Sequence, residues 1–314
     1  MRAALLAALF ALATHAALAQ TLRERLQERR AAGPQDAVLE EEEATTPPAS
    51  LPPGARLVRD IRYGADPRQT MDVYLPPDAR NAPVILMAHG GAWRFGDKGA
   101  RAVTGNKAAR WLPRGFIFIS VNYRLLPQAD PLMQAEDVAR ALAFAQSRAT
   151  GWGGDPARFI LLGHSAGAHL VALLTADPSH ALTFGAKPWL GTVSLDSAAL
   201  NVARIMASRH PRLYDKAFGK DEGYWRRVSP FHLLGAGALP LLAVCSTRRS
   251  DSCLQAADFA ARAKALGLRG GLLEQDLSHR QINEELGLPG AYTESVEAFI
   301  ASLDGQLAAA LAKR

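Results

Sequence analysis

The chain has 314 residues, is 48% hydrophobic and 21% charged, and carries a formal net charge of +6. These values suit one sizeable globular domain with an ample core. The arginines are scattered rather than interleaved with aromatic residues, which argues against nucleic-acid binding and indicates a generally basic surface. No internal repeat is visible.

Residues 1–19 have the form of a cleaved secretory signal peptide. Arg2 gives a positive start, an apolar run follows, and Ala17-Leu18-Ala19 is an A-x-A cleavage site. The run is short and contains Thr14 and His15, which disfavours a membrane anchor. We therefore expect an exported protein, periplasmic or secreted, with no transmembrane segment after cleavage.

The next segment, residues 20–54, predicts a flexible leader, because the acidic run Glu40–Glu43 precedes a proline-rich stretch. The folded domain is expected over 55–314. The chain has two cysteines, Cys245 and Cys253. An even pair in an exported chain favours a disulfide, although two separate thiols are the alternative.

Apolar runs of strand length alternate with helical stretches through the domain. Strands are predicted at 57–63, 70–75, 82–88, 116–121, 159–164, 191–195, 240–244 and 271–277. Helices are predicted near 100–111, 131–149, 166–175, 251–266 and 291–313. This alternation predicts an α/β fold: a doubly wound, mostly parallel sheet of about eight strands with active residues at the strand C-terminal ends. Residues 201–234 lack a strand pattern, so we expect short helices and loops beside the site and no large separate lid domain.

One stretch indicates catalysis: an apolar run ends in Gly163-His164-Ser165-Ala166-Gly167, and an Ala/Leu-rich helical run follows directly. Gly-x-Ser-x-Gly between a strand and a helix is the sequence form of a nucleophile elbow, in which a serine is exposed on a sharp turn. As a pattern alone it also arises by chance. Its position after a strand and before a helix predicts that Ser165 is a nucleophile.

A serine hydroxyl needs a histidine base held by an acid. His279 closely follows the last predicted strand, whereas His210 and His232 lie in the irregular segment. For the acid, Asp251 follows the strand at 240–244 and is preferred, although it could instead cap the next helix. Asp196, at the end of the preceding strand, is the alternative.

The intermediate of acyl transfer also needs preplaced N–H donors for its oxyanion. The residue after the nucleophile, Ala166, supplies one of them. The loop His89-Gly90-Gly91-Ala92-Trp93, at the end of another buried strand, is expected to supply the others. His89 itself is interpreted as a residue that braces the loop.

Together, His-Gly-Gly-Ala-Trp, Asn-Tyr-Arg-Leu-Leu-Pro (122–127) and Gly-His-Ser-Ala-Gly-Ala-His-Leu (163–170) resemble the α/β-hydrolase superfamily. The chain is similar to its esterase and lipase branch related to hormone-sensitive lipase. It is closer still to the kynurenine formamidase-like group, which carries His-Gly-Gly-x-Trp. The resemblance, from about residue 57 onward, implies a triad and an oxyanion hole. Its implied members are Ser165, Asp251 and His279 for the triad, and Gly91, Ala92 and Ala166 for the hole. The hormone-sensitive branch has a third glycine where Ala92 stands.

The sequence thus predicts an exported serine hydrolase that cleaves a carboxylic ester, with a small-molecule ester or amide as substrate. An arylformamidase acting on N-formylkynurenine is the alternative within enzymes, and a binding protein on the same fold is a further one. No metal or organic cofactor is expected, because no cluster of His, Cys and Asp has ligand spacing. Side chains considered for the substrate pocket, with packing or solvated roles as alternatives, are Trp93, Tyr123, Trp225, Arg248 and Arg249.

Overall fold

The computed structural model describes residues 51–197 and 199–313, so the predicted signal peptide and almost all of the predicted leader lie outside the described residues. None of the helices within these ranges has the length and apolarity needed to cross a bilayer. Eight strands form one sheet. They are β1 (Arg56–Arg62), β2 (Thr70–Leu75), β3 (Ala82–Ala88), β4 (Ile117–Val121), β5 (Gly154–His164), β6 (Gly191–Leu195), β7 (Leu241–Ser246) and β8 (Gly270–Gln275).

The strand order is β1-β2-β4-β3-β5-β6-β7-β8. Strand β2 pairs antiparallel with both β1 and β4, and every pairing from β4 to β8 is parallel. The register sets Ala88 of β3 beside Gly163 of β5, and His164 beside Leu195 of β6. The carboxyl ends of the central strands therefore meet at one edge, which confirms the predicted doubly wound, mostly parallel sheet of eight strands.

Twelve α-helices are described within residues 51–197 and 199–313. The short helices Pro178–Leu182 and His279–Glu284 were not predicted, and the predicted C-terminal helix is divided in two. There, Asp304 is extended and its carboxylate accepts the N–H groups of Gln306 and Leu307, so it ends one helix and caps a second. The helices are α1 (Arg101–Trp111), α2 (Pro131–Arg148), α3 (Ala166–Ala176), α4 (Pro178–Leu182), α5 (Val202–Met206), α6 (Arg212–Phe218), α7 (Glu222–Arg227), α8 (Pro230–Leu233), α9 (Ser252–Ala265), α10 (His279–Glu284), α11 (Ala291–Leu303) and α12 (Gly305–Leu311).

The central strands are buried on both faces, which explains their continuous apolar sequences. Along β3, Val84 and Leu86 pack into a core with α2 and α3. Ile85 and Met87, which point the other way, pack into a second core with α1, α11 and α12. Helix α9 covers β7 on the same side as α3. The four short helices α5 to α8 lie between β6 and β7, where the irregular segment was expected.

Candidate active site

Ser165 occupies the tight turn between β5 and α3. Its backbone has φ 53° and ψ −116°, an unusual conformation for a residue with a side chain, and its N–H donates to Leu195 O over 2.9 Å. A Cβ at Gly163 would lie 2.5 Å from Gly167 O. A Cβ at Gly167 would lie 2.3 Å from the carbonyl oxygens of Ala88 and His89. The two glycines are therefore required by close backbone approach, and the turn has the form of the predicted elbow.

His279 follows β8 as the first residue of α10. Ser278 caps this helix in a reciprocal capping box with Gln281, which fixes where the helix begins. The His279 ring lies 4.4 Å, centroid to centroid, from the ring of His164, the residue before Ser165. His164 Nε2 is also 3.1 Å from His279 O. These contacts hold the imidazole of His279 against the elbow strand, beside the nucleophile turn.

The carboxylate that contacts His279 belongs to Asp196, at the end of β6. His279 Nδ1 is 2.6 Å from Asp196 Oδ2, and Asp196 is fully buried. Asp251 is 48% exposed; it lies at the start of α9, makes no capping hydrogen bond, and has its Oδ1 3.8 Å from Arg249. The prediction that Asp251 pairs with His279 is therefore wrong in this structure. Asp196 directly follows the last residue of β6, whereas Asp251 lies five residues after the end of β7 and its side chain is half exposed.

Four groups donate to the Asp196 carboxylate. Oδ1 accepts the Ser246 N–H over 2.8 Å and the Ser252 hydroxyl. Oδ2 accepts from His279 and from Arg249 Nη1, the latter over 2.9 Å. Burial alone would raise the pKa of Asp196, but the His279 hydrogen bond, the Arg249 charge and the Ser252 hydroxyl together lower it well below its usual range. The carboxylate is therefore ionised across the working pH range.

Cys245 and Cys253 enclose the loop that carries three of these donors. Their sulfur atoms are 2.05 Å apart, a bonding distance. Asp251 was expected to be the catalytic acid inside this loop; instead, the loop brings Ser246, Arg249 and Ser252 to an acid on the neighbouring strand.

Within the described residues, the same two cysteines and Glu274 are the one group whose ligand atoms lie close enough together to hold a metal ion. Sulfurs at bonding distance to each other are not available as a pair of thiolate ligands.

The predicted oxyanion donors divide into two groups. Ala92, with φ 50°, and Ala166 line the cleft beside Ser165, and neither N–H donates to an acceptor among the described residues. Gly91 is not in the cleft wall. Its φ is 114° and its carbonyl accepts from the N–H groups of Arg94 and Phe95, so it forms the turn that presents Ala92.

A small cleft lies at Ser165, with about 20 Å³ of room for the centres of water-sized groups. Trp93 lines it, and the Trp93 indole N–H donates to Nδ1 of His169 over 3.1 Å. His169 Nε2 is 2.7 Å from Val228 O, so the histidine joins the glycine loop to the segment that holds α5 to α8. The full wall is Ala92, Trp93, Ser165, Ala166, Ser197, Ala199, Leu213, Tyr214 and Arg249.

Of the other side chains considered for the pocket, three lie elsewhere. The Tyr123 hydroxyl donates to His89 O, and the Trp225 indole contacts the carbonyls of Phe218 and Gly219. Arg248 pairs with Asp276 at the surface. Tyr214 and Leu213 reach the cleft from α6, and no sequence signal distinguished them from other residues of that segment.

His89 occupies the bracing position that was expected for it. It is fully buried, its ring stacks on Tyr123 with 4.4 Å between centroids, and its Nδ1 is 2.6 Å from Gly90 O. Burial lowers the pKa of His89 to about 4. Burial likewise lowers the pKa of His169 to about 4. Both rings are therefore neutral at pH 7 and serve as fixed supports of the cleft.

The eight-stranded sheet, the serine elbow and the histidine–carboxylate pair at one sheet edge define an α/β-hydrolase fold. Comparison with known proteins agrees, because the matching relatives and solved structures include proteins named esterase. The family model described as BD-FAE matches residues 71–188, a little over a third of the chain. The finer likeness to hormone-sensitive lipase and kynurenine formamidase relatives stays a prediction.

Among curated proteins, the probable isoprenylcysteine alpha-carbonyl methylesterase ICMEL1 of Oryza sativa subsp. japonica is 37% identical over 119 residues, 38% of this chain and 27% of that protein. Esterase LipQ of Mycobacterium tuberculosis is 30% identical over 196 residues, 58% of this chain and 46% of LipQ. The chain thus spans between a quarter and half the length of these two relatives.

Solved structures extend the likeness over the whole domain. Esterase B from Lactobacillus rhamnosis has a TM-score of 0.65 at 20% identity, with 96% of this chain and 99% of that chain covered. A carbohydrate esterase from gut microbiota has a TM-score of 0.66 at 17% identity, with 81% and 98% covered. At these identities the likeness shows the shared fold.

Proposed function

We propose that this protein is a serine hydrolase that cleaves carboxylic esters through an acyl-enzyme on Ser165. One observation carries the proposal: His279, hydrogen-bonded to buried Asp196, packs against the residue that precedes Ser165 at the elbow. The family model described as BD-FAE matches residues 71–188, which contain the elbow and the glycine loop. Relatives named esterase and methylesterase support the same activity.

In the first half of the reaction, Ser165 Oγ attacks the ester carbonyl carbon while its proton passes to Nε2 of His279. The Nδ1–H of His279 remains bound to Asp196, which orients the ring and stabilises the imidazolium. The negative charge that forms on the carbonyl oxygen faces the N–H groups of Ala92 and Ala166. When the intermediate collapses, the C–O bond to the alcohol breaks and His279 gives its proton to the leaving oxygen.

In the second half, water attacks the acyl carbon of the serine ester. His279 accepts a proton from this water, and the same two N–H groups receive the new oxyanion. Collapse of this intermediate releases the carboxylic acid and returns the proton to Ser165 Oγ. Each oxyanion donor contributes roughly 3–4 kcal/mol of barrier lowering in related chemistry. No step requires a residue outside the cleft and the Asp196 network.

The cleft favours small esters. The space beside Ser165 is narrow, with about 20 Å³ of room for the centres of water-sized groups. Trp93 and Tyr214 are almost fully buried as they line it, and they pack against Phe218, so this wall is firmly supported. We expect kcat/KM for p-nitrophenyl esters to be highest for acetate to butyrate and to fall steeply toward palmitate.

The decisive test is covalent labelling with a fluorophosphonate probe. Wild-type protein should be labelled stoichiometrically at Ser165 and should hydrolyse p-nitrophenyl acetate. Ser165→Ala should lose the label and lower kcat by about 10⁵–10⁶-fold, as expected when a nucleophile is removed, while thermal unfolding stays unchanged. A folded wild-type protein that neither labels nor turns over any ester in the series would contradict the proposal.

The arylformamidase alternative shares the acyl-enzyme chemistry, so the same preparation should be assayed with N-formylkynurenine. A higher kcat/KM for this amide than for p-nitrophenyl acetate would reassign the substrate while leaving the Ser165 mechanism in place. We expect the ester to be the better substrate, because the relatives compared here are named esterases.

The proposed setting is outside the cytoplasm. The signal-peptide pattern of residues 1–19 supports this, and so does the pairing of Cys245 with Cys253, because disulfides persist in oxidising compartments. Expression of the full chain in an export-competent bacterium, followed by N-terminal sequencing, should give a mature chain that starts at Gln20. An intact Met1 in the cytoplasmic fraction would contradict export.

A further inference from the structure

Arg249 occupies an unusual position in the proposed machinery. Its Nη1 is 2.9 Å from Asp196 Oδ2, 3.1 Å from Asp196 O and 2.8 Å from His279 Nδ1. A guanidinium can only donate, and a carboxylate oxygen 2.6 Å from Nδ1 requires a proton on that nitrogen. Arg249 Nη1 and His279 Nδ1 therefore both donate to Asp196 Oδ2. Arg249 thereby holds Oδ2 in the position where it accepts from the imidazole.

The charges around Asp196 also indicate that Arg249 supports this carboxylate. Asp196 is fully buried, and a buried carboxylate without a cation is costly. Among the described residues, Arg249 is the one permanent cation within ion-pair distance of Asp196. Burial raises the pKa of Tyr214 to about 12 and holds that of His164 well below its usual value, so both groups are neutral. Other titratable groups that face this cluster are His279, Asp251 and Tyr292.

We propose that Arg249 is a positioning residue, which keeps the Asp196 carboxylate ionised and directed at Nδ1 of His279. The inference rests on the proposed hydrolase function. In the resting state the guanidinium donates to Oδ2, while Ser246 and Ser252 donate to Oδ1. After proton transfer the same anchor keeps the carboxylate aligned with the imidazolium. Arg249 also lines the cleft, so a direct contact with the substrate would change KM, whereas action through Asp196 changes kcat.

Three variants, each purified as the full mature chain, test this role with p-nitrophenyl acetate. Arg249→Gln removes the charge, Arg249→Lys keeps it without the planar fork, and Arg248→Gln is the matched control one residue earlier, where the side chain pairs with Asp276 at the surface. Arg249→Gln should lower kcat by about 10–100-fold, the usual range for a lost hydrogen bond to a charged group, with KM changed less than threefold. Arg248→Gln should match the wild type.

The pH profile separates positioning from a structural role. Without the guanidinium, burial favours the protonated acid form of Asp196, which cannot accept from Nδ1 as a carboxylate does. The loss in Arg249→Gln should therefore deepen at least fivefold between pH 8 and pH 5.5, whereas a loosened loop would lower kcat equally at every pH. Arg249→Lys should recover part of the activity, most clearly at low pH.

A folded Arg249→Gln protein with wild-type kcat at both pH values would overturn the inference, and so would a loss that does not vary with pH. Should that variant fail to fold, Arg249→Lys decides: an intermediate kcat supports the role, and an unchanged kcat contradicts it. Wild-type protein that labels at Ser165 in these experiments shows that only the inference about Arg249 has failed. Absence of label and turnover in the wild type removes the proposed function itself.

Discussion

The two halves of the site are built in different ways. The nucleophile half lies within one continuous stretch, where β5, the Ser165 turn and α3 are held by Gly163 and Gly167. The acid–base half is assembled from three separate connections: Asp196 after β6, the loop after β7, and His279 after β8. The first half depends on local backbone geometry, and the second on the side-by-side register of parallel strands.

This difference decides where each half is vulnerable. A turn fixed by close backbone approach tolerates no added atom, because the contacts are with carbonyl oxygens that cannot move independently. A network of side chains from three connections tolerates small shape changes but depends on every charge being paired. The two halves should therefore respond differently to the same kind of substitution.

Among substitutions that leave Ser165 in place, the largest expected effect on activity is in the acid–base half. Asp196→Asn keeps the shape of the side chain but replaces the carboxylate that holds the Nδ1 proton of His279. We expect kcat/KM for p-nitrophenyl acetate to fall by about 10³–10⁴-fold, as when the acid of a serine triad is made neutral. Asp251→Asn is the matched control and should stay within twofold of the wild type. A larger loss of kcat/KM in Asp251→Asn than in Asp196→Asn would show that Asp251 is the catalytic acid.

The nucleophile half should respond to a single methyl group. Gly167→Ala places a Cβ 2.3 Å from the carbonyl oxygens of Ala88 and His89. We expect the free energy of unfolding to fall by about 3 kcal/mol, the upper part of the range for overpacking. The control is Gly151→Ala, where an added Cβ meets nothing within 4 Å. Equal urea midpoints for both variants would show that the elbow does have room.

A smaller effect should appear in the pH dependence of stability. Burial lowers the pKa of His169 from about 6.5 to about 4 in the folded state. Between these values the unfolded chain binds more protons, so stability should fall as pH falls from about 6.5 to about 4 and level off below that. The contribution of His169 is on the order of 3 kcal/mol at most.

This dependence can be measured by urea unfolding at pH 7, 5.5 and 4, with His169→Gln beside the wild type. The variant lacks the buried imidazole at position 169, so its free energy of unfolding should fall less between pH 7 and pH 4. Identical slopes in the two proteins would contradict the neutral, buried state of His169. Asp196 should contribute little to this loss, because its folded pKa is lowered and its contribution is lost only as the pH falls below the unfolded value of about 3.9.

The sequence predicted the local features well, since each is a property of a short stretch. The eight strands, the elbow at Ser165 and the placement of His279 after the last strand were all available from pattern and order. The carboxylate that pairs with His279 could not be identified from the sequence, because Asp251 and Asp196 both follow strands and both fit a loop at the sheet edge. Which carboxylate reaches the imidazole depends on how far each loop extends before it turns, a tertiary property.

The groups that donate hydrogen bonds to Asp196 could not be identified from the sequence either. Ser246 and Ser252 are common loop residues, and Arg249 resembles its neighbour Arg248 in sequence, yet one guanidinium is largely enclosed and the other is exposed. The one sequence feature that indicated these donors was the pair Cys245 and Cys253, which encloses the loop that carries them. The pair indicated the correct loop, but the residue predicted within it, Asp251, was wrong.

The segment from α5 to α8 has a consequence for engineering substrate range. It lies between β6 and β7 and brings Leu213 and Tyr214 to the cleft wall, but it contributes no hydrogen bond to the Asp196 carboxylate. Tyr214 interacts with Arg249 through its side chain, so it is better kept constant. Libraries at the other positions of residues 202–233 can then reshape the cleft wall while the Asp196 network keeps its supports. Directed evolution toward bulkier esters should begin at position 213.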